Sequence, residues 1–148
     1  MMNVVIKHPI NIFLLVLLFA FGCHRGPVRP ADLPPLVPCT ISVTFGSEVI
    51  ANVGVVLTPE DKDVNKWSAG GRTDTSGKAV MITSSVFDGV VPGNYIVSFK
   101  KTGESVKMDE PPSLIPKKYT LGHSKETVTV TKEQSEYMFE LEGLKKNK

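Results

Sequence analysis

Val91-Pro92-Gly93-Asn94-Tyr95-Ile96-Val97-Ser98-Phe99-Lys100 decides the fold of this chain. Pro92 fixes its own φ and Gly93 permits a sharp bend, so the segment opens on a turn. Tyr95, Val97 and Phe99 then alternate with Ile96, Ser98 and Lys100, the period of two expected of a strand with one buried face. The Tyr95 ring is expected in the core, with its hydroxyl kept paired at the end of a sandwich as in a tyrosine corner.

Outward from this strand the same alternation recurs. Ile41, Val43 and Phe45 alternate with Thr40, Ser42 and Thr44; Val53, Val55 and Leu57 form a second set ended by Thr58-Pro59. Ala79 to Ile82 reads as one less regular strand, and Val128 with Val130, then Tyr137, Phe139 and Leu141, complete the series. Turn signals stand between them at Phe45-Gly46-Ser47, Gly70-Gly71, Ser76-Gly77, Pro92-Gly93 and Lys132-Glu133-Gln134. In the Asp74 turn the carboxylate is placed to accept backbone N–H groups while Gly77 supplies a positive φ. No window carries a helical stripe of useful length. The expectation is an all-β domain over residues 39–142, a small two-sheet sandwich of about seven strands, with 102–122 as a long crossover loop or ragged edge and 143–148 as a basic tail.

Before the domain, residues 23–38 carry five prolines and few large apolar side chains. They read as an extended tether free of packed structure, reaching a few tens of ångströms at ~3 Å per residue. Residues 1–22 have no acid, Lys7 and His8 near the front, and an apolar run from Ile10 to Phe21 interrupted only by Asn11. That is the pattern of an export signal, and the run falls short of the ~20 residues of a spanning helix. The alternative is an uncleaved anchor.

The run ends at Ala20-Phe21-Gly22-Cys23, which resembles the lipobox of bacterial lipoproteins. The resemblance implies cleavage before Cys23, diacylation of its thiol and acylation of the new amino group. Cys23 is thus the expected lipidation site, membrane contact the expected consequence, and the bacterial envelope, periplasmic or surface-facing, the expected location. With Cys23 acylated, Cys39 has no disulfide partner. Its neighbours Val37, Pro38 and Ile41 point to a buried thiol acting as a small hydrophobe, with no basic residue nearby in sequence to activate it.

Three phrases in order add a second resemblance: Thr73-Asp74-Thr75-Ser76-Gly77, Val91-Pro92-Gly93-Asn94-Tyr95-Ile96-Val97, and Ile115-Pro116-Lys117-Lys118-Tyr119 followed by Thr127-Val128-Thr129-Val130 and Phe139-Glu140-Leu141. Together they look like the small lipoproteins of planctomycetes that carry a carboxypeptidase regulatory-like, or transthyretin-like, domain. The likeness spans about residues 39–142 and implies a β-sandwich.

Charge and chemistry narrow the function. Removing residues 1–22 takes only Lys7 and leaves 16 basic against 15 acidic side chains, too even for a nucleic-acid partner, which needs a concentrated basic face. Lys145, Lys146 and Lys148 form a solvated end. Asp61-Lys62-Asp63-Val64-Asn65 opens like a calcium loop, but Lys66 and Arg72 stand where the glycine and bidentate acid belong, so no metal is expected. His24 and His123 lack zinc-ligand spacing, and Ser84-Ser85 lacks a nucleophile elbow. His123, beside Leu121, Gly122 and Ser124, is the only domain histidine available as a base. Hydroxyisourate hydrolases share the transthyretin-like fold but end in Tyr-Arg-Gly-Ser, whereas this chain ends in Gly143-Leu144-Lys145-Lys146-Asn147-Lys148. The expectation is a noncatalytic envelope module, without cofactor, that contacts an envelope protein or glycan. The alternative is recognition of a carbohydrate or peptide by loops at one end, with Trp67 as the stacking residue; a transthyretin-like hydrolase ranks third.

Overall fold

The computed structural model describes residues 26–101 and 114–143. Among them lie ten strands: β1 Thr40–Phe45, β2 Glu48–Val49, β3 Gly54–Pro59, β4 Ala69–Arg72, β5 Lys78–Val80, β6 Ile82–Thr83, β7 Phe87–Asp88, β8 Gly93–Lys100, β9 Thr127–Val130 and β10 Glu136–Leu141. A single 3-10 turn at Lys117–Tyr119 is the helical element of the described residues. The architecture is all-β, in two sheets. Seven strands have three residues or more, and the other three are two-residue pairings at turns.

The first sheet is centred on β1. β10 runs parallel to it over its whole length, Thr40 opposite Glu136 through Phe45 opposite Leu141. β5 takes the first half of the other edge and β2 the second, both antiparallel. The second sheet has the order β7-β6-β4-β3-β8-β9, antiparallel throughout. The inward residues of both sheets form one core, with Tyr95, Phe99, Ile41, Leu57, Met81 and Leu141 its largest fully buried side chains. Each such burial contributes on the order of 1.5–3 kcal/mol. Phe99 meets Tyr119 and Phe139 edge-on, at centroid distances of 6.4 and 5.5 Å, which closes the core beneath the 3-10 turn.

The Asp74 turn forms as its residue types require. Asp74 Oδ1 accepts the N–H groups of Ser76 and Lys78 at 2.8 and 3.0 Å and the Ser76 hydroxyl at 2.7 Å, and Gly77 has φ +75°. The Ser76 hydroxyl, followed by the Lys78 N–H, holds the carboxyl below its usual range.

Three expectations need correction. Gly70-Gly71 is not a turn; both residues lie inside β4, between β3 and β6. A Cβ on Gly71 would stand 2.6 Å from the Val80 carbonyl oxygen and 2.9 Å from Met81 Sδ, so glycine is needed where another backbone comes close. Ala79 to Ile82 is not one strand. β5 belongs to the first sheet and β6 to the second, and the chain changes sheet at Met81, fully buried, whose N–H donates to the Cys39 carbonyl at 2.9 Å. Nor is the tether free of packing up to Pro38. Leu33 is 6% exposed, and Val37 exchanges two 2.9 Å backbone hydrogen bonds with Val90. Gly89 accommodates this docking, because a Cβ there would stand 2.6 Å from the Val37 carbonyl oxygen. Apolar burial therefore continues several residues before β1.

Candidate functional site

Tyr95 is where the core begins to position a surface. Its hydroxyl donates to the Val91 carbonyl at 2.6 Å, four residues upstream, as a tyrosine corner does. The same oxygen accepts from Asn65 Nδ2 at 2.6 Å, and Asn65 Oδ1 accepts the Trp67 N–H at 2.9 Å. Burial raises the Tyr95 hydroxyl's pKa, so it remains a donor. The loop between β3 and β4 is thereby tied to the core at Asn65. It is tied to the N-terminal segment as well, because Lys66 Nζ pairs with Asp32 and lies 5.3 Å from the Trp67 ring centroid. Trp67, the chain's one tryptophan, is partly buried, its backbone N–H held by Asn65 and its ring beside Lys66.

Beside it an open groove of about 480 Å³ runs over the outer face of the six-stranded sheet. Its floor follows from register: Ile82 pairs with Gly70 and Gly70 with Val56, three outward positions on adjacent strands. Gly70 has no side chain, so the floor sinks between Ile82 and Val56. The far rim is the β6–β7 hairpin, where Ser84 and Ser85 have φ +51° and +62° and Val86 N–H returns to the Thr83 carbonyl at 3.3 Å. Two successive positive φ values define a turn of the kind that favours Asn-Gly, and serine there costs about 1 kcal/mol per residue. The side-chain hydroxyls of Ser68, Ser84 and Ser85 and the Trp67 indole N–H have no partner among the described residues. Among the described residues no carboxylate lines the groove, and the one charged side chain there is the paired Lys66. The outward row ends at Ser98, opposite Val56 on β8, 3% exposed and with its hydroxyl unpartnered among the described residues.

The other residues singled out by the sequence do not converge here. His123 is exposed, its Nδ1 3.3 Å from the Leu121 carbonyl, and the adjacent Ser124 hydroxyl donates to the Val97 carbonyl. Asp61 Oδ1 accepts from the N–H groups of Asp63 and Val64 in its own loop, while Asn65 is committed to Tyr95 and Trp67. Among the described residues no group of three His, Cys, Asp or Glu side chains is placed to hold a metal. Cys39 is unpaired and 2% exposed, and burial pushes its thiol up to about 11, which makes it a poor nucleophile at neutral pH. Cys23, residues 1–22, His24 and the basic tail from Leu144 lie outside the described residues. No helix among the described residues is long and apolar enough to cross a membrane.

Trp67 stands out in the sequence as a stacking residue, whereas Gly70 reads there as a turn, Ile82 as a strand residue and Ser84-Ser85 as a pair without a nucleophile elbow. Only the β4–β6 pairing brings them to the tryptophan, and the sequence signal at Gly70-Gly71 reads as a turn. No family model, curated protein or solved structure matches the chain.

Proposed function

We propose that this chain is a noncatalytic lipoprotein of the bacterial envelope, held to a membrane by acyl chains on Cys23 and presenting a transthyretin-like sandwich to other envelope components. The observation that carries the reading is the acid-free apolar run Ile10–Phe21 ending at Gly22-Cys23. Burial of Cys39 supports it, since of the two cysteines only Cys23 is left for modification. One acyl chain gives marginal membrane affinity, whereas the three of a mature lipoprotein anchor without a spanning helix. Burial of Leu33, the hydrogen bond from its N–H to the Pro30 carbonyl and the Asp32–Lys66 pair leave at most residues 23–29 as spacer, about 20 Å at ~3 Å per residue when extended. The domain would then stand close to the membrane, in an orientation restrained by the docked segment.

Metabolic labelling with a palmitate analogue tests the reading. Wild-type and Cys39→Ala chains should be labelled, whereas Cys23→Ser should lose the label and persist as uncut precursor. Normal labelling of Cys23→Ser would refute it.

A further inference from the structure

We infer that the groove between Trp67 and the Ser84-Ser85 hairpin is a saccharide-binding site, which seats a neutral, gluco-configured pyranose against the indole. A pyranose with equatorial hydroxyls presents C–H groups on its ring face and hydroxyls around its edge. The groove has the complementary arrangement: an aromatic wall at Trp67, an apolar floor at Val56 and Ile82 deepened by Gly70, and unpaired hydroxyls of Ser68, Ser84 and Ser85 at the rim. All three serines are exposed, so their hydroxyls are open to solvent or to a ligand. The rim is built at a cost in backbone strain, with two non-glycine residues in the left-handed region, and such strain concentrates at binding sites. The Trp67 backbone is held beforehand through Asn65 to Tyr95, and its ring lies beside Lys66, itself paired with Asp32, which lowers the ordering cost of binding.

The other ligand classes fit less well. A peptide recognised through its backbone needs a free strand edge, but β3, β4 and β6 under the groove are paired on both sides. An anionic ligand needs a free cation, and Lys66 is engaged by Asp32. Glycoside hydrolysis ordinarily needs two carboxyl groups about 5–9.5 Å apart, and none of the described residues lining the groove supplies one, which favours binding over cleavage. The inference is independent of the anchor on Cys23, whose labelling is measured separately.

Because Trp67 is the only tryptophan, its emission reports on the groove directly. The full-length protein in a sugar-free detergent would be titrated with cellohexaose, chitohexaose and, for contrast, hexaglycine. A saturable change with at least one oligosaccharide and none with the peptide is expected. A Cβ at Gly70 meets only the Val55 carbonyl oxygen, at 3.7 Å, so Gly70→Val can fill the floor with the fold retained. It should weaken binding at least tenfold, equivalent to ~1.4 kcal/mol. Trp67→Ala, followed by calorimetry, should abolish binding. Silence with both oligosaccharides, saturation by hexaglycine, or unchanged affinity in Gly70→Val or Trp67→Ala would overturn the inference.

Discussion

Tyr95→Phe removes one oxygen from the fully buried ring and leaves its shape intact. That oxygen donates to Val91 at 2.6 Å and accepts from Asn65 at 2.6 Å, so two hydrogen bonds go. Each is worth ~1 kcal/mol net, and the Val91 carbonyl, in a residue 6% exposed, is left without a partner, which adds to the loss. The expected destabilisation is ~2–3 kcal/mol, or roughly a 10 °C fall in Tm for a domain of this size. Tyr95→Ala, which also empties the ring's volume, should cost ~3–5 kcal/mol. Urea unfolding followed by far-ultraviolet circular dichroism and by Trp67 emission is the assay, the second probe also reporting release of the loop held by Asn65. Asn65→Ala should cost less alone, and the two changes together should fall short of their sum by ~1 kcal/mol, because they share one contact. A loss below ~0.5 kcal/mol for Tyr95→Phe, or strict additivity with Asn65→Ala, would refute the view that this oxygen joins core to loop.

Ser84→Asn with Ser85→Gly installs the pair that two consecutive positive φ values favour and should stabilise by about 1 kcal/mol, measured as a raised Tm; a lowered Tm would contradict the turn geometry. Leu33→Ala should cost ~2–3 kcal/mol in urea unfolding, whereas a loss below ~0.5 would mean that the segment before β1 is a free spacer. Cys39 should resist thiol reagents until unfolding, and its contribution has a definite sign. The folded thiol is pushed up to about 11, so its stabilisation is fully present below the unfolded pKa of about 8.5 and declines as pH rises from there through 11. Cys39→Ala should lack that part of the decline, measured as urea stability against pH.

The strands legible in the sequence are those with one clean apolar face. Ile41 and Val43 of β1, Val55 and Leu57 of β3, Tyr95, Val97 and Phe99 of β8, Val128 and Val130 of β9, and Tyr137 and Leu141 of β10 are all buried. β4 escaped because its sequence, Ala69-Gly70-Gly71-Arg72, has almost no side chain with which to show a period; Gly71 answers to the close approach of Val80 and Met81. Ala79 to Ile82 merged because both sheets need apolar residues there, and the crossing at Met81 adds no polar break. Docking of Leu33 and Val37 was hidden by the prolines around them, which remove the alternation without preventing burial. The groove was half legible. Trp67 stands out by type, but its floor and far rim depend on β4–β6 register and on two serines whose left-handed φ no sequence signal marks.

Mass spectrometry of the N-terminal peptide of the native protein, extracted from its membrane, decides whether Cys23 carries the lipid anchor. The expected product is a chain beginning at Cys23, carrying diacylglycerol on sulfur and an acyl group on its amino nitrogen. A chain that retains residues 1–22, or one that begins elsewhere with Cys23 unmodified, would contradict it.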